Sequence, residues 1–256
     1  MVHSDSTTQV ALVTGAAGGI GRAIALALAG QGWQLLITDR DTEALQGTRQ
    51  HCLELGHVVI SAALDVTSED AVAAAVKQVV AHYGHLDGFV SSAGVSGVVQ
   101  PIVNYPADVF MQTLAINTTG TFLCLKHALP ALRASGGGSF VAIGSTSSIR
   151  GRAGLSAYVA SKHAVLGLVR SAALETVGTP VRVNAVLPGP TQTAMIDSIN
   201  AMASRGDPGS GGVQRAVSAP YGQPEDVAST VTFLMSSAAR HINGAALVVD
   251  GGSTLA

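Results

Sequence analysis

Charge is scarce in this sequence. Asp, Glu, Lys and Arg make up 12 % of its 256 residues, against about 25 % in an average soluble domain. Apolar residues make up 47 %, the opposite of the bias that keeps a chain disordered. At this length about 70–75 % of the unfolded surface is expected to be buried, ample for a large core. Basic residues are in no excess: 14 Lys and Arg stand against 16 Asp and Glu, a net charge of −2. Nothing is therefore available to neutralise a phosphate backbone, and no nucleic-acid partner is expected. Long apolar runs are missing too. The mean hydropathy is +0.39, yet Gly, Ser or a charge interrupts every stretch before the ~18–20 residues of a membrane span. No membrane partner is expected. The opening MVHSDSTTQV has neither a basic start nor an apolar stretch, so no secretory signal is expected. Cysteine is limited to Cys52 and Cys124, which excludes a disulfide framework. Both fall in helix-like patterns and read as small core residues in a reducing, cytoplasmic compartment.

What is present is a regular alternation. Short β-branched runs occupy residues 10–14, 34–38, 57–63, 86–91, 139–143, 181–187 and 245–249. Between them lie helical patterns over 20–29, 42–55, 108–132, 157–176 and 225–236, with a further one opened by Ser68. Ile20, Ile24 and Leu28 recur at four-residue spacing, one face of a helix. Ser68 stands as an N-cap before the stripe Val72, Val76, Val79 and Tyr83. Strands alternating with helices imply parallel β-α-β units with right-handed crossovers. The expected fold class is α/β, a doubly wound Rossmann-type parallel sheet of about seven strands with helices on both faces. The whole of 1–256 reads as a single domain, with no internal repeat or linker. Residues 194–220 break the rhythm, with Gly206, Gly209, Gly211 and Gly212 close together. A long loop following a strand's C-terminal end is expected to be a substrate lid.

Three constellations carry chemistry. The first is Thr14-Gly15-Ala16-Ala17-Gly18-Gly19-Ile20-Gly21, between the first strand and the first helix. Glycine allows a tight turn and close backbone approach to a pyrophosphate, and the helix start offers free N–H donors. The second is Asp39, at the end of the second strand. A carboxylate there accepts from ribose hydroxyls and repels a 2′-phosphate, which favours NAD over NADP. The bland alternative for Asp39 is an N-cap of the following helix. Arg40 beside it can pair with a phosphate or stack on adenine. The third is Tyr158 with Lys162, four apart on one helix face, and Ser145 upstream. A neighbouring ammonium favours the phenolate and is expected to bring the tyrosine's proton loss toward working pH.

Taken together and in this order, these residues resemble the short-chain dehydrogenase/reductase family over about residues 8–252. Its glycine motif matches Gly15, Gly19, Ile20 and Gly21. Asp65 in Leu64-Asp65-Val66 matches the family's aspartate and implies an adenine contact. Its Asn-Asn-Ala-Gly appears as Ser91-Ser92-Ala93-Gly94, so both asparagines that would brace the fourth strand are lost while Ala93 and Gly94 remain. The resemblance implies that Asn117, Ser145, Tyr158 and Lys162 are the catalytic set. It further implies that Pro188, Gly189, Thr191 and Thr193, following Asn184, lie on the nicotinamide side. Tyr158 is then the general acid/base and Lys162 binds the nicotinamide ribose. Ser145 orients the substrate oxygen, and Asn117 holds a water in a proton relay. The family also implies a homotetramer built on the helices at 108–132 and 157–176.

The expected function is transfer of a hydride between NAD(H) and a secondary alcohol or ketone. The alternatives are an NADPH-dependent 3-oxoacyl reductase and a non-catalytic NAD-binding regulator on the same fold. Candidate substrate walls are Val95, Ser145, Ser147, Ile149, Leu155, Pro190, Ile196 and Met202. They are small and mostly apolar, which suggests a neutral cyclic, aromatic or polyol alcohol. Arg150 and Arg152 read as a solvated loop or subunit contact before a substrate-carboxylate site. The eight histidines lack ligand partners at zinc spacing, so no metal is expected. Trp33 reads as packing and Asp250 as a turn residue.

Overall fold

The computed structural model of the chain describes residues 8–205 and 221–255. Seven strands form one sheet: β1 (Val10–Thr14), β2 (Gln34–Asp39), β3 (Val59–Ala63), β4 (Gly88–Ser91), β5 (Gly138–Ile143), β6 (Val181–Pro188) and β7 (Ala246–Val249). Their order is β3-β2-β1-β4-β5-β6-β7 and every pairing is parallel. This is the doubly wound Rossmann-type arrangement expected from the alternation. The order reverses between β1 and β4, which opens a crevice at the C-terminal strand ends, the usual ligand position in such sheets.

The strands are apolar almost throughout because both faces are covered. Val10 and Leu12 of β1 face one core, with Leu36, Phe89, Phe140 and Val183. Helices α3 (Glu69–Tyr83), α5 (Gly120–Ala134) and α6 (Ser156–Glu175) cover that side. Ala11 and Val13 point the other way, into a core with Ile37, Val90, Val141 and Val186. Helices α1 (Gly19–Gly30), α2 (Thr42–Glu54) and α8 (Pro224–Met235) close that second side. Phe89 and Phe140 stack across adjacent strands with centroids 5.2 Å apart. Trp33, Cys52 and Cys124 are buried core residues as read from the sequence.

Two departures bear on the site. The helix expected over 108–132 is three pieces: α4 (Ala107–Leu114), a π-helical turn (Ala115–Thr119) and α5. A π turn inserts an extra residue into the helical ladder, a device frequent at functional sites; here it contains Asn117. The lid expected over 194–220 begins as a helix, α7 (Ala194–Arg205). Its apolar residues Met195, Ile196, Ile199 and Met202 pack with Val99, Leu155 and Tyr158. The glycine-rich remainder, 206–220, lies outside the described residues. The two flanks of this insertion meet, because Gln192 N–H donates to Gly222 O and Gly222 N–H to Pro190 O.

The Gly-rich turn between β1 and α1 depends on absent side chains. Gly15 sits at φ +70°, and a Cβ on it would collide with the Ala93 backbone. A Cβ on Gly21 would overlap the carbonyl oxygen of Gly15. Backbone cannot yield as a flexible side chain does. Gly21→Ala is therefore expected to cost about 2–4 kcal/mol. At this chain length that lowers the midpoint of thermal unfolding by roughly 5–15 °C. An unchanged midpoint in differential scanning calorimetry contradicts the close approach.

Candidate active site

The C-terminal strand ends open into a cleft of about 420 Å3. At one end stand Asp39, Arg40 and Asp65; at the other Ser145, Tyr158 and Lys162. The Gly-rich turn forms the floor between them. Asp39 Oδ2 accepts from Ala17 N–H at 3.0 Å, and Oδ1 from Asp41 N–H at 3.0 Å. Asp39 thus holds the glycine turn in place and also lines the cleft. It is not the N-cap of α2; Asp41 caps that helix by accepting from Ala44 N–H. Asp65 accepts from the main chain and hydroxyl of Thr67. Those hydrogen bonds, aided by the nearby Arg40 charge, hold its carboxyl below the ordinary range.

The missing asparagines after β4 have substitutes. Thr14 Oγ1 accepts from Ser92 N–H at 3.1 Å and Ala93 N–H at 3.3 Å. Ser91 Oγ meets Thr121 Oγ1 at 3.4 Å. A hydroxyl on β1 and one on α5 thus brace the turn. Gly94 follows where a Cβ would crowd Asn117 Oδ1 and Lys162 Nζ.

Asn117 lies beneath the cleft and its side chain is engaged at both ends. Oδ1 accepts from Val95 N–H at 2.8 Å, while Nδ2 donates to Val95 O and Ser161 Oγ, both at 2.9 Å. Ser161 Oγ in turn donates to Tyr158 O at 2.8 Å. One amide therefore ties the β4 loop to the first turns of α6. Oδ1 accepts only one bond and keeps a second lone pair, which the relay water expected of Asn117 can use. The main-chain oxygen of Asn117 accepts from Thr121 Oγ1 at 2.7 Å.

Ser145 begins a short 3-10 turn, Thr146–Ser148. Its Oγ accepts from Ser147 N–H at 3.0 Å, which leaves the hydroxyl proton to donate into the cleft. Lys162 is buried and donates from Nζ to Ile143 O at 2.8 Å. Burial lowers its ammonium pKa from the ordinary 10.5 to about 8. Lys162 Nζ lies 5.7 Å from the Tyr158 ring centroid. Burial pushes the Tyr158 phenol up, against the hydrogen bond from Ser145 and the charge of Arg152. The lowering expected of Lys162 is not found: the groups that favour the phenolate are Ser145 and Arg152, and burial outweighs them because a desolvated phenolate is strongly disfavoured.

The structure brings most of the expected residues together. Gly15, Gly19, Ile20, Gly21, Val66, Ala93, Gly94, Pro188, Gly189, Thr191 and Thr193 line the cleft. So do the substrate candidates Val95, Ser147, Leu155, Pro190 and Ile196. Two candidates do not. Ile149 is 45 % exposed, turned out at the end of the 3-10 turn. Met202 lies a turn too far along α7 and packs behind Leu155 and Ile199 instead. Asn184 is buried inside β6, where it accepts from Ala245 N–H and donates to Ile242 O. Asp250 closes a turn by accepting from Gly252, Ser253 and Thr254. Ile199 and Arg152, which the sequence reading left out of the site, line the cleft. The helical spacing of Met195, Ile196, Ile199 and Met202 was the available signal for Ile199.

A family model described as enoyl-(acyl carrier protein) reductase matches residues 15–254. Levodione reductase of Leifsonia aquatica is 33 % identical over 255 residues, covering 98 % of this chain and 96 % of its own. A solved structure of levodione reductase superposes with a TM-score of 0.91, at 33 % identity over 97 % of this chain and 98 % of that one. Cis-4-hydroxycyclohexanecarboxylate dehydrogenase of Sinomonas cyclohexanicum is 37 % identical over 249 residues, 96 % of each chain. The structure of NAD+-bound xylitol dehydrogenase has a TM-score of 0.90 at 32 % identity, covering 97 % of this chain and 100 % of that one.

The buried ammonium of Lys162 gives a signed prediction. Its folded pKa is about 8 against an ordinary 10.5. At pH 7 both folded and unfolded states are charged and the burial penalty is fully present. As pH rises from 8 to about 10.5 the unfolded chain holds more protons, so stability rises with pH through this group. Relative to Lys162→Met, the wild type is expected to gain on the order of 3 kcal/mol across that window. Urea unfolding of both proteins at several pH values checks it; a pH-independent difference contradicts it.

Proposed function

The chain belongs to the short-chain dehydrogenase/reductase family, an oxidoreductase of secondary alcohols and ketones, and on that premise we propose that it works with NAD and uses Tyr158 as its acid–base group. The observation that carries this reading is the meeting of Ser145, Tyr158 and Lys162 at the end of one cleft whose other end presents Asp39. The cleft's floor fits a dinucleotide. Its glycines admit close backbone approach, and Gly18 has open space where a Cβ would stand. Residues Gly15, Gly19, Ile20 and Gly21 would hold the pyrophosphate at the start of α1. Asp39 would take the adenosine ribose, with Asp65 and Val66 beside the adenine. Ala93, Gly94, Pro188, Gly189, Thr191 and Thr193 would hold the nicotinamide half. When bound, the nicotinamide supplies the hydride acceptor for alcohol oxidation or the hydride donor for carbonyl reduction.

The chain's own residues handle the proton. Ser145 donates its hydroxyl proton to the substrate oxygen and fixes that oxygen beside Tyr158. Tyr158 takes the substrate's hydroxyl proton during oxidation and returns one during reduction. Lys162, anchored on Ile143 O, places its charge between Tyr158 and the nicotinamide ribose. Asn117 is a positioning residue: it locks α6 against the β4 loop. Lid helix α7 and Leu155 keep water from the substrate end.

Asp39 supports NAD through charge, because a carboxylate repels a 2′-phosphate. Arg40 is the one feature favouring the second reading, an NADPH-dependent 3-oxoacyl reductase. Asp65 lies near enough to feel its charge, and no ion pair holds Arg40 among the described residues. For assembly we propose a homotetramer that covers the exposed Met111 and Phe122 of α4 and α5. The free, buried cysteines fit a reducing cytoplasm.

Three outcomes are expected. Tyr158→Phe lowers kcat/KM for alcohol oxidation by roughly 10²–10⁴-fold while NAD still binds; near-normal turnover contradicts the acid–base role. In the wild type, oxidation accelerates as pH rises because Tyr158 must lose its proton, and reduction slows. Asp39→Asn narrows the preference for NAD over NADP by about tenfold. Initial rates with both cofactors check it, and an unchanged ratio assigns the preference elsewhere.

A further inference from the structure

Arg152 stands in the wall of the cleft at its substrate end, half-buried beside Leu155, Ser147 and Tyr158. It is held in one pose. Nε donates to Ser147 Oγ at 3.2 Å, and Nη2 to Thr146 Oγ1 at 3.1 Å. Ser147 and Thr146 are both buried, so the anchors are fixed. Both are neutral hydroxyls: they orient the guanidinium without cancelling its charge. Among the described residues the ion pairs are His85–Asp87, Lys126–Glu69 and His127–Glu69, and none involves Arg152. The remaining lining at this end is apolar: Val95, Leu155, Ile196 and Ile199. A guanidinium carries five N–H donors in a planar fork. Two are spent on the anchors, which leaves three, and of these an Nη1 donor and the second Nη2 donor lie side by side, the pair a carboxylate takes bidentately. An oriented cation against apolar walls, with no ion-pair partner among the described residues, is the arrangement of an anion site.

The position relative to the chemistry is defined as well. Ser147, the anchor of Nε, donates its main-chain N–H to the oxygen of Ser145. The guanidinium is therefore one side chain removed from the hydroxyl that orients the reacting oxygen. We propose that Arg152 is a specificity-determining residue that binds a carboxylate on the substrate, so that this enzyme's preferred substrates are hydroxy acids and the corresponding oxo acids. The carbinol oxygen then sits at Ser145 and Tyr158 while the carboxylate docks on Arg152 a few bonds away. This inference rests on the oxidoreductase reading of the same cleft. It replaces the neutral alcohol suggested by the sequence, which counted the loop arginines as solvated.

The test compares matched substrates with NAD near pH 9, where carboxylates are ionised. Cis and trans 3- and 4-hydroxycyclohexanecarboxylates and linear 3-hydroxy acids are each assayed beside their methyl ester and amide. The expected result is a kcat/KM for at least one acid tenfold or more above its ester. That ratio falls below threefold in Arg152→Gln and is partly restored in Arg152→Lys. Inhibition by unreactive cyclohexanecarboxylate against cyclohexanecarboxamide gives the same ratio as a pure binding measurement. A residue that merely braced Ser147 would lower acid and ester together and leave the ratio unchanged, which overturns the proposal. Esters equal to or better than acids throughout the wild-type series overturn it too, while turnover of those esters leaves the oxidoreductase reading standing. Absence of turnover with every acid, ester, amide and simple alcohol removes that reading and this one with it.

Discussion

The side-chain amide of Asn117 holds the catalytic end of this molecule together. It sits in a π turn where α4 would otherwise run straight into α5, and the extra residue aims it under the cleft. There it pairs with both main-chain groups of Val95 and with the hydroxyl of Ser161. A buried amide satisfied on both ends is strong in a low-dielectric site and costly to break. Through Ser161 it reaches the first turns of α6, and hence the backbone that carries Tyr158 and Lys162. Through Val95 it fixes Gly94, whose missing side chain makes room for Lys162 and Asn117. This group ties the sheet's C-terminal edge to the first turns of α6, alongside the bond from Lys162 to Ile143 O.

Two further asparagines brace the neighbouring strands. Asn184 bridges to Ile242 O and Ala245 N, and Asn243 bridges to Val183 N and Ala173 O. These four bonds join β6, the entry to β7 and the end of α6. They hold the first half of β6, the strand that runs on to Pro188 and Gly189 in the cleft. The site is thus clamped by buried polar groups, while the pocket itself keeps charges at a cost in stability. Lys162 remains an ammonium at neutral pH in a place that disfavours it, and Tyr158 is held back from ionising. A better-packed apolar residue at either position would suit the fold and end the chemistry.

The fold was legible because its signals are local and repeated. Parallel strands buried on both faces read as continuous apolar runs, and each helix showed its spacing. The Tyr158–Lys162 pair was legible for the same reason, being two positions on one helix face. What stayed hidden depends on tertiary contacts. A π turn leaves no mark in an apolar period, so residues 108–132 read as one helix. The helix α7 was obscured by the glycines that follow it, although Met195, Ile196, Ile199 and Met202 have helical spacing. Asp39 was placed correctly in the cleft, but its grip on Ala17 N–H is a contact across 22 residues that no motif encodes. The replacement of two asparagines by Thr14 and the Ser91–Thr121 contact is equally non-local. Arg152 was misjudged because the direction of a loop side chain is set by its anchors, here Thr146 and Ser147, and not by its neighbours in sequence.

Bringing these residues to one cleft has a single chemical purpose in this account: direct passage of hydride between a carbinol carbon and the nicotinamide beside Tyr158. The most direct measurement follows the hydrogen itself. A secondary alcohol substrate deuterated at its carbinol carbon is oxidised with NAD, and the reduced cofactor is examined by NMR and mass spectrometry. The account predicts one deuterium per NADH, located at nicotinamide C4 on a single face. Deuterium lost to solvent, or NADH formed without label, would contradict it.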